Sequence, residues 1–166
     1  KYNQEGKYGL INYYDYEIFT PYAIDYLNDA IYVSSNSKDI YLILKVSYTG
    51  EILKKIERKY LKRHLTKEEK ENLVVMSMGK KNGNFGEKRS IDYKKAIEEL
   101  YIDKYGNLLV CRESKDQFLV FDVFKEDSFV EKVKLFSLNR DDLILFANDK
   151  IYSLNKEKLT LSVFSY

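Results

Sequence analysis

Ile102-Asp103-Lys104-Tyr105-Gly106-Asn107-Leu108-Leu109-Val110 decides how this chain is read: an aspartate closes one apolar run, a Gly-Asn turn follows, and a second apolar run begins. Gly and Asn reach positive φ at little cost, so Tyr105-Gly106-Asn107 reverses the backbone and makes the flanking runs antiparallel neighbours. The same order occurs upstream, where Asp25-Tyr26-Leu27-Asn28-Asp29 leads into Ala30-Ile31-Tyr32-Val33. It occurs again in Leu138-Asn139-Arg140-Asp141-Asp142-Leu143-Ile144-Leu145.

Two further strands follow each copy. They are Ile43-Leu44-Lys45-Val46 and Ile52-Leu53-Lys54-Lys55-Ile56 in the first, Phe118-Leu119-Val120-Phe121-Asp122 and Phe129-Val130-Glu131-Lys132-Val133 in the second. In the third they are Lys150-Ile151-Tyr152-Ser153-Leu154 and Leu159-Thr160-Leu161-Ser162-Val163. Taking Val33, Val110 and Leu145 as second-strand anchors, the later interval fits a compact four-stranded unit of about 40 residues. The earlier interval holds one such unit plus residues 61 to 95. The expectation is therefore an all-β chain, a β-propeller of antiparallel four-stranded blades. About three blades are present, at about 20–60, 96–137 and 138–166, with one short helical insertion at about 61–95.

Within that insertion, Thr66 followed by Glu69 forms a capping box, which predicts a short helix over about 67–76. The Gly- and Asn-rich stretch from Met78 to Gly86 is expected to be an exposed loop without a ladder. The near-continuous apolar runs Ala30-Ile31-Tyr32-Val33 and Leu108-Leu109-Val110-Cys111 suit strands covered on both faces. Ile52 to Lys59 and Phe129 to Leu135 interleave charge with apolar residues, as outer strands do to blunt an open edge.

Composition agrees with a globular β domain, since 45% of the 166 residues are apolar, 33% are charged and Tyr alone contributes 16. Tyr and Phe favour half-buried pleated surfaces. A net charge of +2 gives no global pull toward polyanions, but residues 61 to 95 concentrate the basic excess, with 10 basic against 5 acidic groups. Aromatics there are limited to Phe85 and Tyr93, which provides no stacking platform and disfavours nucleic acid as a partner. Cys111 is the single cysteine, expected as a buried thiol, so burial rather than disulfides must hold the fold. No apolar stretch approaches the ~18 residues of a spanning helix. The chain starts without Met, and it is expected to have lost a preceding segment.

No motif calls for a cofactor or a metal. His64 is the single histidine, which excludes a two-histidine mechanism within this chain, and between Arg63 and Leu65 it is expected to be solvated. Gly79-Lys80 is followed by Lys81 rather than Ser or Thr, so it is not a phosphate loop. The pairs Glu68-Glu69, Glu98-Glu99 and Asp141-Asp142 are sequence neighbours whose side chains diverge, which suits neither general acid nor general base work. The aspartate turns could hold calcium, but Asp and Asn close turns unaided. Surface contacts are expected instead from the basic residues Lys62, Arg63, His64 and Arg89. The N-terminal tyrosines Tyr13, Tyr14 and Tyr16 join them, within a wider set of Tyr8, Tyr22 and Tyr26.

The blade motifs resemble the six-bladed β-propellers of the NHL-like group, in particular the bacterial extracytoplasmic family named for its six blades. Ile102 through Val110 carries the resemblance best, and Tyr22-Ala23-Ile24-Asp25 with Ala30-Ile31-Tyr32-Val33 is next. Arg58-Lys59-Tyr60 through Lys70 resembles the basic, then helical segment between that family's blades. The resemblance implies a periplasmic or surface location and the C-terminal half of a ring, closed by further blades or by a second copy. It implies a non-enzymatic binding or scaffold module for a protein or glycan. The alternative is a propeller lyase or hydrolase whose catalytic groups lie mainly outside this chain.

Overall fold

The computed structural model describes residues 20–35, 37–67, 70, 80–81, 84–85, 92–112, 118–138 and 142–165. The described chain is all-β and antiparallel. Strands β1 (Tyr22–Asp25), β2 (Ala30–Ser34), β3 (Tyr41–Ser47) and β4 (Ile52–Arg58) form a first sheet in sequential order. After the short β5 (Lys80–Lys81) and β6 (Asn84–Phe85), the strands β7 (Glu99–Ile102), β8 (Leu108–Arg112), β9 (Leu119–Lys125) and β10 (Ser128–Leu135) form a second sheet. A third sheet contains β11 (Leu143–Ala147), β12 (Lys150–Asn155) and β13 (Thr160–Ser165).

The first two sheets repeat each other in detail. In each, an aspartate at the end of the first strand staples the following turn. Asp25 accepts hydrogen bonds from the Leu27 and Asn28 backbone N–H groups and from Asn28 Nδ2 at 2.8 Å. Asp103 accepts from the Tyr105 and Asn107 N–H groups and from Asn107 Nδ2 at 2.7 Å. These are Asx turns, in which each carboxylate accepts from the backbone N–H two residues on. Both sheets also carry a bulge in the fourth strand just past its hairpin. Leu53 is skipped between the pairs Val46–Ile52 and Lys45–Lys54, and Val130 between Phe124–Phe129 and Val123–Glu131. A bulge there sharpens the twist and turns an outer edge away from further pairing.

The second sheet lies between the other two, with β7 in contact with both β1 and β11. Its face carrying Leu100, Leu108, Val110 and Phe124 packs on Ala23, Tyr32, Tyr41, Ile43 and Ile56 of the first sheet. Its opposite face, with Leu109, Cys111, Leu119 and Phe121, packs on Ile151, Ile144, Phe146 and Phe164 of the third. Leu108, Leu109, Val110 and Cys111 are therefore all buried, as their unbroken apolar run requires. Ala30–Ser34 differs from the expectation of two covered faces: Ala30, Tyr32 and Ser34 are buried, while Ile31 and Val33 are only half-buried.

Three expectations are corrected. The third sheet has three strands among the described residues, not four, and the run ending in Leu145 is its first strand, packed beside β7, rather than its second. The Gly- and Asn-rich stretch does form a ladder, pairing Lys80 with Phe85 and Lys81 with Asn84. The intervening dipeptide is Asn82-Gly83, a strong two-residue hairpin signal. The insertion helix begins where the capping box puts it, with the Lys70 N–H donating to the Thr66 carbonyl at 3.0 Å, but 68–69 and 71–76 lie outside the described residues.

Candidate functional site

Antiparallel order sends the β1–β2, β7–β8 and β9–β10 turns to one end of the first two sheets. There they enclose a cleft of about 770 Å³ lined by Asn28, Tyr32, Lys45, Tyr105, Asn107 and Asp127, among others. Asp127 sits on a tight turn in which Glu126 and Asp127 both adopt positive φ, 49° and 61°. That mirror-type turn matches the strand twist, but neither residue is Gly or Asn. Its geometry aims the Asp127 carboxylate back across the gap between sheets. Asp127 Oδ1 accepts a 2.6 Å hydrogen bond from the Tyr32 hydroxyl, and Lys45 Nζ lies 3.3 Å from Oδ2.

Lys45 also stands over the Tyr32 ring, 5.2 Å from its centroid. Burial first, and then the Asp127 hydrogen bond, push the Tyr32 phenol above its ordinary value, so Tyr32 stays a neutral donor at physiological pH. The floor of the cleft is thus a fixed Tyr–Asp–Lys strut. Both oxygens of Asp127 are engaged, so it is a tether and an acceptor rather than a proton shuttle.

One exposed aromatic borders the cleft: Tyr105, 70% exposed on the β7–β8 turn. Lys104 stands over the Tyr105 ring at 4.5 Å and reaches Asp149 of the third sheet at 2.6 Å, which holds the Tyr105 turn toward its neighbour. Gly106 has φ of 79°, and a Cβ there would lie 3.2 Å from Asn28 Nδ2, so this glycine lets the two aspartate-stapled turns approach each other. The lining holds Lys45 and Lys125 against Glu126 and Asp127, so its formal charges cancel. A charge-balanced, polar cleft with one exposed aromatic ring suits a hydroxyl-rich ligand that can stack and hydrogen-bond.

The residues singled out from sequence fall elsewhere. Lys62, Arg63 and His64 follow β4, at the opposite end from the cleft. Lys62 pairs with Asp39 at 2.5 Å, which lowers the Asp39 carboxyl and raises the Lys62 ammonium from their ordinary values. His64 bridges Tyr93 in an antiparallel pair, with ring centroids 4.3 Å apart. The Arg63 carbonyl accepts from the Lys94 N–H at 2.9 Å. Backbone pairing thus zips 63–65 to 92–94. Tyr13, Tyr14, Tyr16 and Arg89 lie outside the described residues.

Sequence reasoning did not find Tyr32, Lys45 or Asp127, because 95 and 82 residues separate Asp127 from its partners and each sits in an ordinary strand or turn. Tyr105 had a signal in its Gly-Asn turn, read there as architecture alone. Among the described residues, no three His, Cys, Asp or Glu side chains cluster to hold a metal, and no helix is long and apolar enough to cross a membrane. No protein-family model, curated protein or solved structure matches this chain.

Proposed function

We propose that this chain is a run of β-propeller blades acting as a non-enzymatic binding module, and that its turn-end cleft takes a neutral glycan. The blade reading is supported by three stacked antiparallel sheets, of which two repeat the same aspartate staple and the same fourth-strand bulge. The observation that carries the binding reading is the cleft itself: charge-balanced, floored by the Tyr32–Asp127–Lys45 strut and bordered by the exposed Tyr105 ring. Sugar rings stack on tyrosine faces, while their hydroxyls exchange hydrogen bonds with fixed polar groups. Preorganisation keeps the entropy cost of binding low.

The test is a screen of neutral and anionic oligosaccharides, followed by titration calorimetry on any binder. A neutral oligosaccharide should bind, and Tyr105→Ala should weaken it about tenfold, as loss of a stacked aromatic costs roughly 1.4 kcal/mol. The melting temperature should stay unchanged because Tyr105 is exposed. A screen with no binder, or a Tyr105→Ala variant that binds as the parent does, would remove the proposal.

A further inference from the structure

The cleft is lined by the first and second sheets, yet its one exposed ring is held from the third. Neither Lys104 nor Asp149 lines the cleft. Lys104 Nζ stands 4.5 Å from the centroid of the Tyr105 ring and 2.6 Å from Asp149 Oδ1 on the β11–β12 turn. Asn148 and Asp149 both take positive φ there, 49° and 63°, which makes the turn a tight two-residue reversal. Phe146 of β11 packs on Tyr101 of β7 with ring centroids 5.1 Å apart, which braces the two strands that carry these turns.

The backbone and the ring of Tyr105 are constrained by different groups. Asp103 Oδ1 accepts from the Tyr105 and Asn107 N–H groups at 2.8 Å, and the Gly106 N–H donates to the Asp103 carbonyl at 3.1 Å, so the staple fixes the turn itself. Packing does not fix the side chain, which is 70% exposed. A free tyrosine loses rotamer freedom when a ligand stacks on it, and that loss subtracts from affinity. Lys104 supplies the missing restraint, and Asp149 in turn anchors Lys104. The Asp149 hydrogen bond first, and then the Tyr105 side chain, raise the Lys104 ammonium above its ordinary value, so Lys104 stays charged at physiological pH.

We infer that Asp149 is a positioning residue for the cleft: acting through Lys104 from the third sheet, it sets the Tyr105 ring as a ligand meets it, so affinity depends on an ion pair outside the binding surface. The inference takes its ligand, a neutral glycan, from the cleft reading above. Lys104 occupies one face of the ring, which leaves the other for a single sugar to stack on. The Lys104 and Asp149 side chains are 30% and 57% exposed, so salt screens their attraction. An uncharged ligand should therefore bind more weakly as salt rises.

Proton NMR of the ligand-free chain reads the pair directly, in sodium chloride raised from about 0.01 M to about 1 M, over which the screening length falls from about 30 Å to about 3 Å. In low salt the Lys104 methylene protons should show ring-current shifts and nuclear Overhauser contacts to the Tyr105 ring, and both should fade as salt rises. Asp149→Asn should show neither at any salt; asparagine tolerates positive φ, so the turn is kept. Lys104→Arg should behave as the parent and Lys104→Gln as Asp149→Asn. Both positions are exposed, so far-UV circular dichroism should not change. Calorimetric titration with the neutral oligosaccharide selected by the screen should give about threefold weaker binding for Asp149→Asn in low salt, as an exposed pair warrants, and parent and variant should converge in high salt. Lys104 signals that ignore salt, or that persist in Asp149→Asn, would overturn the inference. So would equal binding by parent and Asp149→Asn in low salt, or an equal loss of affinity with salt in both, which would trace the effect to Lys45 and Asp127. The predicted NMR response in a chain that binds no oligosaccharide would defeat the cleft reading and leave Tyr105 positioned by Asp149.

Discussion

Asp122→Asn places one neutral amide where the interface between the first two sheets needs a charge. Asp122 sits on β9 with a side chain only 1% exposed, and Arg58 Nη1 of the first sheet approaches its Oδ2 to 2.9 Å. Arg112 Nη1 lies 3.7 Å from the same oxygen. Both arginines are largely buried, with side-chain exposures of 23% and 13%. Arg58 also stacks on Phe129 at 3.5 Å. The buried Tyr41 hydroxyl also faces Asp122, and the attraction between Asp122 and the two arginines is chiefly Coulombic. Asparagine keeps the volume and removes the charge, which leaves two partly buried guanidinium groups without their counter-ion.

Breaking a buried pair in this way costs about 3–5 kcal/mol. The partial exposure of Arg58 lets it relax toward water, which points to about 3 kcal/mol. With a urea slope of about 2 kcal/mol/M, the unfolding midpoint should fall by roughly 1.5 M. Replacing all three charges together, as Arg58→Met, Arg112→Met and Asp122→Leu, should recover most of that loss, since an apolar cluster has no desolvation penalty to offset. Urea unfolding followed by far-UV circular dichroism reads both effects. A single substitution costing under about 1 kcal/mol, or a triple variant less stable than the single one, would refute the claim that this interface depends on charge balance.

Gly106→Ala should destabilise the protein by roughly 1–2 kcal/mol, because alanine is strained at φ of 79° and its Cβ would press on Asn28; thermal unfolding measures this. Burial first raises the phenols of Tyr32, Tyr41 and Tyr101 above their ordinary value, aided by Asp127, Asp122 and Glu99 respectively. Their neutral forms contribute stability that is fully present below about pH 10 and is lost as pH rises toward the folded-state values. Unfolding midpoints should therefore decline above about pH 10, and Tyr32→Phe should flatten part of that decline. Cys111 is buried between the second and third sheets, so a thiol reagent should label it only as fast as the protein opens, and labelling should accelerate in urea.

The parts of the fold legible in sequence were those with a local chemical cause. Asp25 and Asp103 each end an apolar run, Gly106 supplies positive φ to the turn that follows Asp103, and the unbroken Leu108–Cys111 run announced a strand covered on both sides. Turns made without glycine were less visible: Glu126-Asp127 and Asn148-Asp149 all take positive φ, which the packed hairpin imposes against the preference of Glu126. The third sheet was placed one strand out of phase because Leu143-Ile144-Leu145 looks alike as a first or second strand; only the packing of Phe146 against Tyr101 at 5.1 Å distinguishes them. The cleft was not legible because its strut is assembled from β2, β3 and the β9–β10 turn by tertiary packing. The basic run 62–64 drew attention by composition, yet its backbone pairs with 92–94 and Lys62 pairs with Asp39.

The central claim is that the second sheet is packed on both faces. Side-chain nuclear Overhauser contacts on the folded chain test it most directly. On one face, Phe124 should contact Tyr41, whose ring centroid is 6.4 Å away, and on the other Tyr101 and Phe121 should contact Phe146. Contacts to both neighbours from alternate residues of the same strands are the predicted result. Contacts on one face only, with Tyr101 and Phe121 free of Phe146, would contradict the stacked arrangement on which the blade reading depends.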